Sequence, residues 1–209
     1  MSLANYGDLK TGVARWLGRN DLTTYIPDYV ALCHAWLMRE LRSHPRMIKR
    51  DVAFSVDAEY EAVPSDFMEL VSARRNDGDK ITLAYLSDDT QSKYWQGVAG
   101  EPKYITVVGN TTAGTENFRF GPPPNGTYTL TIEYLARITF FANDAATNWI
   151  MTDHPDLYLY GSLLQAVGYI KDDARVALWQ SAFSAALQSV KGQGARARWG
   201  ANSLSARMA

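Results

Sequence analysis

Apolar residues recur at helical spacing near both ends of this chain and alternate in its middle. Leu9, Val13, Trp16 and Leu17 fall at i, i+4, i+7 and i+8, which is one helical face. Gly18 stops that helix, and Asp21, Leu22 and Thr23 make a short connection. Pro27 then suits a first helical turn, where its missing N–H would have no partner anyway. Ile26, Val30, Cys33, Leu37 and Leu41 recur at three- and four-residue steps. Tyr29, Leu32 and Trp36 widen the stripe and predict burial on more than one side. The pattern predicts a helical hairpin over 5–42, ended by Ser43, His44 and Pro45.

From Asp51 the period falls to two. Phe54 and Val56 alternate with Ala53 and Ser55, as in a half-buried strand. Val63-Pro64-Ser65-Asp66-Phe67 reads as a turn before a strand over 70–74, and Asn76-Asp77-Gly78-Asp79 as another turn. Ile81, Leu83 and Tyr85 alternate again. Ser87, Asp88 and Asp89 resemble a helix start, so 90–96 is expected to be a short helix. Residues 104–108 form a β-branched run, and Phe118 and Phe120 alternate before the loop Gly121-Pro122-Pro123-Pro124-Asn125-Gly126. Tyr128, Leu130, Ile132 and Tyr134 alternate with Thr129, Thr131 and Glu133, the clearest strand of all. Residues 51–140 therefore predict an antiparallel β unit of about five or six strands.

The last third is helical again. Asp153 is placed to cap and Pro155 sits in a first turn. Leu157, Tyr160, Leu164, Val167 and Ile170 share a face; Lys171-Asp172-Asp173 breaks it. Val176, Trp179, Phe183, Leu187 and Val190 share the next. After Lys191 the pattern stops, and Gly192, Gly194 and Gly200 predict a flexible basic tail. The predicted class is α+β: helical hairpins at both ends packed as one bundle, burying Trp16, Trp36 and Trp179, with an antiparallel β lobe inserted. The expected divisions are 1–50, 51–147, 148–191 and a tail over 192–209.

Composition changes this picture by exclusion. The 209 residues are 46% hydrophobic, enough for a core. One cysteine excludes a disulfide scaffold and any Cys-cluster metal site, and three histidines leave little for metal chemistry. Neither a membrane span nor an apolar leader is visible. The net charge of −1 hides a pattern: +4 over 1–50, −7 over 51–90, −3 over 91–173 and +5 over 174–209. Basic ends and an acidic middle favour head-to-tail contact between copies, or a partner of opposite sign.

Catalytic signals are weak. Cys33 and His34 point about 100° apart on a helix and do not form a nucleophile–base pair. His154 between Asp153 and Asp156 reads as a helix start rather than a metal half-site. There is no G-x-S-x-G elbow or phosphate loop, and the proline-rich loop lacks the N–H donors of a phosphate cradle. No enzyme activity and no cofactor are expected. Two basic groups are candidate contact sites. Arg39, Arg42, Arg46, Lys49 and Arg50 form an inter-subunit or DNA-facing patch. Arg196, Arg198, Trp199 and Arg207 form a docking tail, since Arg and Trp anchor interfaces.

Four pieces in order resemble the head-to-tail adaptor (connector) proteins of tailed phages. The first is Tyr6-Gly7-Asp8-Leu9-Lys10 with Val13-Ala14-Arg15-Trp16-Leu17, Arg19-Asn20-Asp21-Leu22, Ile26-Pro27-Asp28-Tyr29-Val30 and the LMRELR run that begins at Leu37. The second is Val63-Pro64-Ser65-Asp66-Phe67-Met68-Glu69-Leu70. The third is Phe118-Arg119-Phe120-Gly121-Pro122-Pro123-Pro124 with the strand after it. The fourth is Asn148-Trp149-Ile150-Met151 and His154-Pro155-Asp156-Leu157-Tyr158-Leu159-Tyr160-Gly161, with Lys171-Asp172-Asp173 and Trp179 downstream.

The resemblance covers about 5–190. It implies a non-enzymatic virion protein of the neck, assembled in the host cytoplasm as a ring of about twelve copies. Its partners would be the portal protein above, a tail or nozzle protein below, and other copies of itself. Genomic DNA would pass through the lumen without sequence-specific binding. The tail after Lys191 matches no shared motif; only its position, near the portal, carries over. Two other readings are a nucleic-acid-binding module using the basic cluster at 39–50, and a neck or tail-completion protein.

Overall fold

The computed structural model describes residues 3–76, 81–95, 98–110, 114–170 and 174–199; the side chains of 20 and 197–199 are not described. In chain order the elements are α1 (Tyr6–Leu17), a 3-10 turn (Asn20–Tyr25), α2 (Ile26–Glu40), β1 (Ile48–Val56), β2 (Tyr60–Ala62), β3 (Phe67–Arg75), β4 (Ala84–Tyr85), α3 (Asp88–Tyr94), β5 (Tyr104–Gly109), β6 (Glu116–Gly121), β7 (Tyr128–Ala136), α4 (Trp149–Asp153), α5 (Pro155–Gln165) and α6 (Arg175–Trp199). The class is α+β. The chain divides into two compact units: a β unit, Ile48–Arg137, and a helical unit formed by the described residues of Met1–Met47 and Ile138–Ala209.

In the helical unit, local chemistry sets the ends of α1. The Asn5 side chain accepts from the Asp8 N–H at 2.9 Å. Gly18 closes the helix at φ +67, a left-handed cap that glycine adopts without strain, and donates to Ala14 O at 3.1 Å. The short helix α5 is central, packed against α1, α2 and α6. Its closest approach is at Gly161. A Cβ there would overlap Sγ of Cys33 and lie 3.0 Å from Cε2 of Phe183. Leu9, Val13, Val30, Cys33, Leu37, Leu157, Leu163 and Trp179 are fully buried around this seam.

The core differs from the sequence reading in three side chains. Trp179 is buried as expected, but Trp16 and Trp36 are only half-buried. They lie at the rim, Trp16 edge-on to Tyr160 at 5.7 Å and Trp36 stacked on Phe183 at 4.3 Å. Leu32 is 55% exposed, so the second side of α2 faces outward. Trp36 on that side meets α6 only at its edge, and nothing among the described residues covers Leu32.

Among the described residues the β unit holds seven strands in two sheets, ordered β1-β7-β3 and β2-β6-β5-β4. Two expectations are corrected here. The strand count exceeds five or six because β2 and β4 are only two or three residues long. The unit is also not wholly antiparallel: β4 runs parallel to β5, with Ala84 opposite Tyr104. Helix α3 and the chain after it supply the long crossover that a parallel pair needs. Inner faces of both sheets share one core, in which Phe118 of β6 packs edge-on against Phe54 of β1 and Phe67 of β3 at 5.4 and 5.1 Å.

The unit's limits also differ from 51–147. Strand β1 starts at Ile48, and the segment after Arg137 belongs to the helical unit. Phe141 explains this, because it stacks on Tyr6 at 5.0 Å and meets Tyr158 at 5.2 Å. Lys171, Asp172 and Asp173, the expected break, lie outside the described residues, as do Asp77, Gly78 and Asp79 of the second turn.

Helix α6 departs most from expectation. It runs through Trp199 rather than stopping at Lys191. Lys191 Nζ pairs with the Glu40 carboxylate of α2. Gly194 is buried where a Cβ would sit 2.7 Å from His44 Cδ2 and 3.1 Å from Pro45 Cδ. The glycine is there for close packing, and a helix pinned on both sides of Gly192 does not stop at it.

Candidate interaction surfaces

The five cations at 39–50 are divided between the two units, and their surroundings differ. Arg39 and Arg42 are exposed at and just beyond the end of α2. Arg46 pairs with Asp153 and lies 5.3 Å from the Trp149 ring. Asp153 is the last residue of α4 and is engaged by Arg46. The N-cap position of α5 falls on His154, which makes no side-chain capping bond. Helix α4 is capped by Asn148, accepting from Met151 N at 3.0 Å. In the β unit, Lys49 pairs with Asp66 at 2.5 Å, and that contact raises the lysine's pKa against an opposing effect of burial. Burial pushes Asp66 up, but contacts with Lys49 and Tyr134 outweigh it and hold the carboxyl below its usual value. Arg50 is exposed on β1, beside a bulge where Asp51 takes φ +53.

Around Arg46 is a cluster that sequence reasoning did not single out. Trp149 stacks on His44 at 5.1 Å and meets His154 edge-on at 6.4 Å. These residues, with Pro45, Asp153, Gln193 and Gly194, line a cleft of about 290 Å³ at the side of α6. Past the cleft, Arg196 is exposed on α6. The backbone of Arg198 and Trp199 forms the last turn of that helix. Arg207 lies outside the described residues.

Cys33 and His34 sit on different faces of α2, each with its own partners. Burial pushes the Cys33 thiol up to about 12, which removes the thiolate a nucleophile needs. Its Sγ lies 3.7 Å from Leu157 O. His34 Nδ1 is 2.8 Å from Tyr158 Oη. The cap of α4 fixes the proton positions. Asn148 Oδ1 accepts from Met151 N, so Nδ2 donates to Tyr158 Oη at 2.9 Å. Tyr158 then donates to His34 Nδ1, leaving that nitrogen unprotonated. Burial lowers the His34 pKa, against a smaller opposite effect of its hydrogen bond with the Ile138 backbone. The network is a structural relay joining α2, α4 and α5.

Among the described residues, no group of three or more His, Cys, Asp or Glu is placed to hold a metal. No described helix is long and apolar enough to cross a membrane. What the geometry offers is surface: an aromatic-basic cleft, a long helix ending in Arg and Trp, and two units of opposite charge. These features describe a protein that acts through contacts, and the family comparison places it among phage head-to-tail adaptors. The chain belongs to the SU10 adaptor protein family, which matches residues 4–207. The family's role is structural, as a component of the phage particle. No curated protein matches the chain.

Proposed function

We propose that this chain is a head-to-tail adaptor that forms a ring beneath the portal and joins it to the tail or nozzle, with DNA passing through the lumen. The family match supports the adaptor role, and one structural observation supports assembly from like copies. The helical unit has twelve Lys+Arg against nine Asp+Glu, and the β unit nine against thirteen. A copy with one surplus-positive and one surplus-negative unit attracts its neighbour head to tail, a heterologous contact that closes a ring if the rotation permits. Docking on the portal is assigned to the end of α6 and the residues after it, through Arg196, Arg198, Trp199 and Arg207.

The test compares three chains against purified portal: full length, ending at Trp199, and ending at Lys191. Loss of binding only in the shortest assigns docking to the last turns of α6; loss in both truncations assigns it to the segment with Arg207. Equal binding by all three removes the C-terminal assignment. The DNA-binding reading requires affinity that falls steeply with salt. Arg46 and Lys49 are already paired with Asp153 and Asp66, which reduces the cations available to phosphate.

A further inference from the structure

Between Arg175 and Lys191, α6 has no charged residue, although much of that stretch is in solvent. Leu178 is 64% exposed, and Ser181, Ser184, Ala185 and Gln188 are exposed beyond it. Helix α2 repeats the pattern: between Asp28 and Arg39 it has no Asp, Glu, Lys or Arg, and it exposes Ala31, Leu32 and Ala35. Both helices pack on α5, and they meet each other where Trp36 stacks on Phe183. A solvent-facing helix ordinarily carries charge on its outer side. The absence of charge around exposed leucines is one feature of an interface core.

The β unit carries a surface of complementary kind. Tyr94, at the end of α3, is 71% exposed. It packs on Trp95 at 5.9 Å, and Trp95 on Tyr104 of β5 at 4.8 Å. The first turn of α3 carries Asp88 and Asp89. Asp88 and Asp89 are paired with Arg119 and Lys93, so the patch itself is aromatic, within the unit of surplus negative charge.

We propose that the uncharged outer face of α2 and α6, centred on Leu32 and Leu178, receives the Tyr94–Trp95 surface of a second copy of this chain. Sign selects this occupant. Two helical units face to face oppose like net charges, whereas a helical unit against a neighbour's β unit joins opposite ones. Each copy has each surface once, so the contact is heterologous and propagates from copy to copy. The inference rests on the adaptor reading and gives its self-contact two named surfaces.

Cysteine cross-linking tests it. Leu178→Cys and Tyr94→Cys are made separately and together, and treated with a short bismaleimide, alone and with purified portal. Native Cys33 is buried and does not compete. The double variant is expected to give a ladder of covalent multimers. A mixture of the two single variants should give heterodimers severalfold above a control pair, Leu178→Cys with Ser55→Cys on β1. Yields at the control level, both alone and on the portal, overturn the pairing. Portal binding by the same uncross-linked variants separates the two readings. If binding persists without a ladder, the surfaces are wrongly assigned; if wild-type chain does not bind portal, the adaptor reading itself fails.

Discussion

Gly161 shows how tightly a single position can be constrained. It lies in the middle of α5, where alanine would normally be the better helix former. A methyl group there would overlap the Cys33 sulfur and crowd Phe183. Gly161→Ala is therefore expected to destabilise the protein by about 1–3 kcal/mol, the usual cost of overpacking. Adding Cys33→Ala should recover part of that loss, and denaturant unfolding of the two single variants and the double reads the coupling. His34 makes a pH prediction at the same seam. Its pKa is lowered in the fold, so the unfolded chain binds more protons in the window just below about pH 6.5. This contribution to stability is present above that value and is lost as pH falls through the lower, folded pKa. Melting temperatures from pH 7.5 down to 5 should fall more steeply in wild type than in His34→Gln; identical slopes would reject the neutral, hydrogen-bonded histidine.

At the level of elements, the chain's patterning was a good guide where burial is one-sided and a poor one elsewhere. Strand β7 was legible because Leu130, Ile132 and Tyr134 alternate with partly exposed residues, and it is the central strand of its sheet. The α1 and α2 faces were legible for the same reason at helical period. The parallel β4–β5 pair was not, because two-residue strands have no period and pairing direction depends on distant chain. Nor was the length of α6, since glycine has the same letter whether it breaks a helix or lets one pack closely. The two glycines separate these roles. Nothing lies within 4 Å of a Cβ at Gly192, so Gly192→Ala should stabilise by about 0.5–1 kcal/mol through helix propensity alone. Gly194→Ala meets His44 and Pro45 and should forfeit that gain. Hydrogen exchange resolved to residues 190–199 should show slower exchange in the first variant and faster in the second. Of the candidate surfaces, the basic cluster was visible as residues, but its ion pairs with Asp153 and Asp66 were not, because each partner is remote in sequence. The charge-free run in α6 is plain in the sequence, but its meaning depends on which of its residues the fold leaves exposed.

At the scale of the molecule, one continuous segment forms the β unit and two separated segments form the helical one. This asymmetry has a consequence for folding. Every residue of the β core cluster, from Val56 and Phe67 through Phe118 to Ala136, lies within Ile48–Arg137. The unit's buried Arg75 pairs with the exposed Glu101, and Arg119 with Glu59 and Asp88; these partners are likewise internal. A segment that supplies its own core and satisfies its own buried charges meets the requirements of an independently folding domain. Residues 48–137 expressed alone should unfold cooperatively in urea and retain near-ultraviolet dichroism from the packed aromatics. The N-terminal segment ending at Met47 should not fold by itself, because its apolar face packs on α5, which is encoded more than a hundred residues later. The helical unit then forms only after most of the chain is available, while the β unit can form first. A β segment that stayed unfolded in isolation would show that its core depends on the helices, and would remove this order of events.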